Sequence, residues 1–230
     1  EKNAINVARH TIVTTKIERD HFLKIIPKAR ISVISNGVDF SKFKTRRRIS
    51  NFEKNKQIIF FGKMDYFPNK LAVLHFVKKI FPQIQKLIPN VKFNIVGANP
   101  DNEIKKLGLI DSVTVKDFIE DIATEIKNSA VAAFPLIVGT GIQNKMLEAI
   151  ACGVPIVCSA LAARPLNLID GQHAFICDNN EKFALRLAIL LSDERLNSTM
   201  AKSAYNFIKN RYDWDTKAAK LEKLYTRHLT

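Results

Sequence analysis

Cysteine, proline, glycine and tryptophan are all scarce in this 230-residue chain, which has 3, 8, 8 and 1 of them. So few glycines and prolines exclude a collagenous or low-complexity chain. The three cysteines, Cys152, Cys158 and Cys177, are an odd number. The Cys-x5-Cys spacing of the first two fits neither a zinc knuckle nor a disulfide framework, so reduced thiols in a cytoplasmic protein are expected. No apolar run approaches the ~20 residues needed to cross a bilayer, and Glu1-Lys2-Asn3 does not start a signal peptide. Since the first residue is not Met, a fragment or processed chain is expected. His10, His21, His75, His173 and His228 stand in no metal-ligand spacing, and no structural metal is expected. There is no Gly-x-Ser-x-Gly elbow, Walker loop or Gly-x-Gly-x-x-Gly fingerprint, which argues against hydrolase, NTPase and dehydrogenase chemistry. Acidic residues are also few, 22 against 36 Lys and Arg, which leaves a net charge of +14. That balance favours anionic partners such as phosphates, nucleic acid or an acidic membrane.

What is present is the composition of a globular fold, with 47% apolar and 25% charged residues. Thr11-Ile-Val-Thr-Thr15 and Ile31-Ser-Val-Ile-Ser35 read as strands around a charged helical stretch, and Asn36-Gly37 as a turn. Residues 44 to 56, with Arg46-Arg-Arg48, read as a solvated basic linker and mark a domain boundary. Beyond it strands at 57–62, 91–96, 112–115, 130–134, 154–158 and 173–177 alternate with helices at 69–85, 101–107, 122–128, 143–151 and 180–191. Helices over 195–211 and 215–228 close the chain. Such alternation implies parallel strands joined by right-handed crossovers, hence an α/β, Rossmann-like doubly wound sheet. In these sheets ligands bind at the carboxyl ends of the strands.

Two such ends stand out. Phe134 to Ala149 reads as a buried strand, a loop with Gly139, Thr140 and Gly141, and a helix carrying Lys145 and Glu148. Glycines let the backbone approach an anion, and the helix start offers unpaired N–H groups, so this is a phosphate cradle in outline. Lys145 and Glu148 are three apart and share a helix face, where a cation and a hydroxyl-accepting carboxylate suit a sugar nucleotide. The same spacing also describes a surface ion pair behind a glycine turn. The second end is Phe60 to Lys70, where Gly62 breaks the strand and Lys63 follows it into the cleft or into solvent. Asp65 and Lys70 read as dressing of the helix start, and the triple arginine as a linker or membrane-facing patch in preference to a nucleic-acid site.

Taken together, Ile34-Ser-Asn-Gly-Val-Asp39, Phe61-Gly-Lys63, Met64 to Asn69, Gly139 to Ala149, Cys152-Gly-Val-Pro-Ile-Val157 and Tyr212-Asp-Trp-Asp215 resemble the family 4 glycosyltransferases of GT-B fold, from about His10 to Tyr225. Chains of that family pair an N-terminal acceptor domain with a C-terminal domain for the nucleotide-sugar donor, and this chain resembles the second half. The resemblance implies four segments: residues 1–43 as the end of the acceptor domain and the crossover, 44–56 as linker, 57–211 as the nucleotide-sugar domain, and 212–230 as a helix packing back on the first domain. It implies a retaining transfer of sugar from a nucleotide diphosphate sugar to a glycan or lipid-linked acceptor, without metal or cofactor. By it Glu148 accepts from ribose hydroxyls, Lys145 and Lys63 face the diphosphate, Gly62, Gly139, Thr140 and Gly141 supply backbone, and Phe118 and Ile119 meet the base. A catalytic histidine of the family belongs to the missing half. There are departures: Thr140 replaces the first glutamate of the Glu-x7-Glu pattern, Ile137 an arginine, Asp117 a glycine, and Ala163-Arg164 a Glu-Gly pair. The rival readings are a nucleotide-binding module without turnover, a basic nucleic-acid-binding protein and a degenerate domain without ligand. The charge further implies contact with the inner face of an anionic membrane.

Overall fold

The structure, a computed structural model, describes residues 2–43, 52–139 and 141–229. It opens with α1 (Lys2–Val7), β1 (Thr11–Val13), α2 (Lys16–Ile25) and β2 (Ile31–Val33). β1 and β2 pair in parallel, Thr11 opposite Ile31, so this is a small βαβ unit. A capping box fixes the start of α2: the Thr15 hydroxyl accepts from the Glu18 N–H at 3.0 Å, and the Glu18 carboxylate accepts from the Thr15 N–H at 2.8 Å.

The larger body follows α3 (Phe40–Phe43). Its first half holds β3 (Gln57–Phe61), α4 (Phe67–His75), α5 (Phe81–Leu87), β4 (Lys92–Val96), α6 (Asn102–Leu107), β5 (Val113–Lys116) and α7 (Ile122–Lys127). Its second half holds β6 (Val131–Phe134), α8 (Asn144–Ala151), β7 (Ile156–Cys158), α9 (Ala160–Ala163), β8 (Phe175–Ile176), α10 (Asn180–Ser192) and α11 (Glu194–Lys209), after which α12 (Trp214–Leu229) ends the chain. The six strands pair in parallel in the order β5-β4-β3-β6-β7-β8. Numbered within the sheet this is 3-2-1-4-5-6, the doubly wound order, and its switch point lies between β3 and β6. Helices cover both faces, so the central strands are apolar throughout: Ile58, Ile59 and Phe60 of β3 and all four residues of β6 are fully buried.

The helical stretch expected over 69–85 extends from Phe67 to Leu87 and is interrupted by a π turn, Phe76–Ile80. Pro82 has no N–H to give to the carbonyl four residues back, and the Phe81 N–H bonds the Phe76 carbonyl five back, so the widened turn absorbs the proline. Three short elements, α1, α3 and α9, escaped the sequence pattern.

Two further expectations are corrected by the packing. Residues 44–51 lie outside the described residues, but the supposed solvated linker is anchored at its end: Phe52 is buried and Lys56 donates to the Leu191 carbonyl at 2.6 Å, while Glu53 and Lys54 between them are exposed. Nor do Asp65 and Lys70 dress the start of α4, whose N-cap position is Tyr66 without a side-chain bond. Asp65 accepts from Asn99 at 2.7 Å, and Lys70 pairs with Asp101 and Glu103 of the neighbouring β4–α6 segment. Their partners come from tertiary contact, which a local capping rule does not see.

The small unit and the sheet body are joined through the crossover and through α12. The Val38 N–H donates to the Tyr212 carbonyl at 2.7 Å, and Gly37 lies against the Trp214 indole, where a Cβ would come within 2.8 Å of Cδ2. Lys220 of α12 donates to the Val33 carbonyl of β2 at 2.8 Å. Val38, Phe43 and Tyr212 belong to the core of the sheet body. The three cysteines are free and buried, and no helix among the described residues is long and apolar enough to cross a membrane.

Candidate functional site

The switch point places the carboxyl ends of β3 and β6 side by side, with α4 following β3 and α8 following β6. Backbone conformation shapes both ends. Gly62 and Gly97, which follow β3 and β4, have φ of +139° and +153°, and a Cβ on Gly97 would fall 1.8 Å from the Gly62 carbonyl oxygen. Glycine at 97 allows that approach, and the positive φ at 62 also favours glycine. Gly139 in the loop after β6 has φ +130° and faces the first turn of α4, where its Cβ would stand 3.8 Å from Pro68 Cβ. The two loops therefore meet at Pro68 and Asn69.

Lys145, in the first turn of α8, points into this junction. It is 8% exposed. Its Nζ donates to the Asn69 side-chain oxygen and lies 4.6 Å from the Phe60 ring centroid and 5.9 Å from that of Phe134. Burial pulls its pKa down to about 7, against the attraction of Glu148. The Asn69 side-chain nitrogen donates to the Lys63 carbonyl at 2.8 Å. One amide thus ties Lys145 to the β3 turn. Glu148 lies on the same helix face, half-buried, and forms no ion pair with Lys145 among the described residues. Burial raises its carboxyl above the usual range, against the attractions of Lys42 and Lys145. The reading of Lys145 and Glu148 as a surface ion pair therefore fails, because the lysine is buried at the strand ends and donates to Asn69.

The N-cap position of α8, Gln143, makes no side-chain capping bond; its carbonyl accepts from the Met146 N–H at 2.9 Å, which leaves the N–H groups of Asn144 and Lys145 without a cap from the Gln143 side chain. Together with the positive dipole end and a buried cation, they form a receptacle for an anion, with Glu148 one turn deeper as an acceptor for hydroxyls. The structure brings Gly62, Gly139, Lys145 and Glu148 to this junction. Gly141, with φ +79°, has open space where a Cβ would stand. Lys63 sits at the junction by its backbone while its side chain is exposed. Phe118 and Ile119 lie apart, after the edge strand β5, two strands away. Phe118 is 74% exposed, and Ile119 is partly buried against the core. Thr140 lies outside the described residues. Among the described residues no group of three or more His, Cys, Asp or Glu could hold a metal ion.

Residues 55–193 match the family model described as "Glycosyl transferases group 1". The chain belongs to that family. Among curated group 1 relatives, the phosphatidyl-myo-inositol mannosyltransferase of Mycolicibacterium smegmatis is 25% identical over 206 residues, which are 84% of this chain and 50% of that protein. The GDP-mannose-dependent alpha-(1-6)-phosphatidylinositol monomannoside mannosyltransferase of the same organism is 26% identical over 64% of this chain and 42% of its own. The chain spans about half the length of the curated relatives it matches. Its fold is that of GT-B glycosyltransferases. TarM of S. aureus, solved with Fondaparinux, alpha-GlcNAc-glycerol and UDP, superposes with TM-score 0.81 at 19% identity over 97% of this chain and 45% of its own. Anabaena HepE with UDP-glucose gives 0.77 at 19% identity over 97% and 65%.

In the sequence Asn36 reads only as part of a turn and Asn69 only as the end of the Met64–Asn69 segment, and nothing there points to a site role for either or for Lys42. Asn36 donates to Asn144 at the start of α8 at 2.9 Å, so the crossover touches the site. For Asn69 a signal existed. Positions 69, 72, 73, 76 and 77 form the buried stripe of the helix, and a lone amide on such a stripe needs buried partners.

Proposed function

We propose that this chain is the donor-binding part of a glycosyltransferase that moves a sugar from a nucleotide diphosphate sugar to a glycan or lipid-linked acceptor with retention of configuration. The observation that carries this reading is Lys145, a buried cation without a carboxylate partner, held at the switch point of a group 1 glycosyl transferase sheet with Glu148 one turn deeper. In this reading Lys145, the exposed Lys63 and the N–H groups of α8 neutralise the diphosphate leaving group, which lowers the barrier where charge develops and needs neither metal nor cofactor. Glu148 accepts from the ribose hydroxyls, a charge-assisted contact strengthened by burial. The exposed Phe118 ring lies on the same edge of the sheet and offers a face to the base. The acceptor and any catalytic histidine are assigned to an N-terminal domain, in line with the half-length match. The net charge of +14 favours docking on the inner face of an anionic membrane.

A thermal shift with UDP, GDP, ADP and their sugar conjugates tests the donor site. A ligand at 100 times its Kd stabilises the fold by about 2.7 kcal/mol. The expected outcome is a shift with one base, lost in Glu148→Ala; a folded protein that no nucleotide shifts would sink the assignment. A second reading, a nucleotide-sugar-binding module without turnover, is favoured by Thr140 where the family pattern has its first glutamate. Binding without transfer, with an acceptor and the complementary domain both supplied, would select it.

A further inference from the structure

Asn69 is 5% exposed, and both ends of its amide are used: the oxygen by the Lys145 ammonium and the nitrogen by the Lys63 carbonyl. We propose that Asn69 is a positioning residue of the anion site, joining the β3 and β6 loops through Lys145 and coupling diphosphate binding to protonation of that lysine. The proposal rests on the donor-site reading and adds to it a residue and a proton.

The geometry limits what can stand at this position. The residue must accept from an ammonium and donate to a carbonyl, with both groups at the end of one short side chain. Asp accepts but does not donate, and Leu does neither. Gly62 fits the same constraint, because a Cβ there would lie 2.8 Å from the Asn69 nitrogen. The lysine is held but not satisfied. Asn69 is its one hydrogen-bond acceptor among the described residues, and the Phe60 and Phe134 rings fill much of the remaining space. The charged groups around it are few. Glu148 stands on its own helix, Lys42 of α3 faces Glu148, the Lys63 ammonium of the β3 turn is exposed, and α4 contributes the neutral Asn69. Burial opposes the charge strongly enough that the ammonium and the amine are close in free energy near pH 7. An arriving diphosphate supplies the anion the site lacks, so the complex holds the ammonium and takes up a proton wherever the free protein had lost it.

Titration calorimetry of the 230-residue chain with inorganic pyrophosphate, UDP and GDP, from pH 6 to 9 in two buffers of different ionisation enthalpy, tests this. For the wild type, affinity falls about tenfold per pH unit once pH exceeds the free-state midpoint near 7, and uptake approaches one proton per ligand. In Asn69→Asp the added carboxylate keeps Lys145 charged, so the pH profile flattens and proton uptake vanishes. In Asn69→Leu the ammonium loses its acceptor and the midpoint moves down. Thermal unfolding confirms which variants fold, and either one suffices, since a purely structural role lowers affinity equally at all pH values. Variants that keep the wild-type profile, or a wild type without proton uptake above pH 8, overturn the proposal. Nucleotide binding with an unaltered profile in the variants overturns it while leaving the donor reading intact. An Asn69-dependent profile for pyrophosphate, with UDP and GDP binding no better, supports it and sinks the donor reading. No binding of any of the three probes to folded wild type overturns both.

Discussion

Lys145 costs the free protein stability. A lysine taken out of water without a carboxylate partner is expensive to keep charged, and replacement of even a paired buried ion by apolar groups of similar volume is often neutral or stabilising by about 1–4 kcal/mol. Its folded-state pKa, about 7, is below its ordinary 10.5, so between these values the unfolded chain binds more protons than the folded one. Stability from this group therefore rises with pH across that window and is lowest below pH 7. Lys145→Met is expected to raise the unfolding free energy by roughly 1–3 kcal/mol at pH 6, the lost bond to Asn69 included, and by less at pH 9, where the wild-type amine is already neutral. Urea unfolding at the two pH values measures this. The same variant should lose nucleotide binding, so stability and function move in opposite directions at this position. The pair Lys145 and Glu148 was legible in the sequence because a spacing of three fixes a common helix face. Burial was not legible, since it depends on Phe60, Phe134 and Asn69, which arrive from three other elements.

Elements were more legible than side-chain partners. The central strands of the large sheet, β3 and β6, are apolar runs because they are buried on both faces, and the alternation of strands with helices gave the parallel topology directly. Hidden were the short α9, whose four residues hold too little periodicity, and the π turn ahead of Pro82, which leaves the apolar stripe almost unchanged. Glycine carried more information than its number suggests. Gly97→Ala would drive a Cβ to 1.8 Å from backbone oxygen, where no flexible side chain can yield, at a φ that disfavours any other residue. The expected cost is at least about 4 kcal/mol, the exceptional end of the single-substitution range. Gly141→Ala makes the contrast. Its φ is also positive, but nothing lies within 4 Å, so only the conformational term remains, about 1–2 kcal/mol. Equilibrium unfolding of the two variants separates collision from conformational strain, and equal losses would contradict the close approach of β3 and β4.

At the scale of the whole molecule, two sheets of very different size share one chain. The six-stranded sheet is sealed by helices on both faces, whereas β1 and β2 pair only with each other and Val13 is the one strand residue among them that is buried. A two-strand unit has too little apolar burial to offset the entropy of ordering it, so it depends on attachments such as the Val38–Tyr212 backbone bond, the Gly37–Trp214 contact and the Lys220–Val33 bond, beside the exposed Asn36–Asn144 bond. The first two sit at the crossover, and the bonds of Lys220 and Asn36 are exposed and so weak in water. Opening of the small unit should therefore need far less free energy than global unfolding. Amide hydrogen exchange should show the two central strands, residues 58–61 and 131–134, protected close to the global limit. Residues 11–13 and 31–33 should exchange at least a hundredfold faster, which corresponds to a gap of about 2.8 kcal/mol. Lys220→Ala should speed exchange in β2 without altering the central strands, since its bond touches only the small unit. Equal protection of the two sheets would mean that the crossover and α12 bind them into one cooperative body, and the weak attachments described above would have to be stronger than their chemistry allows.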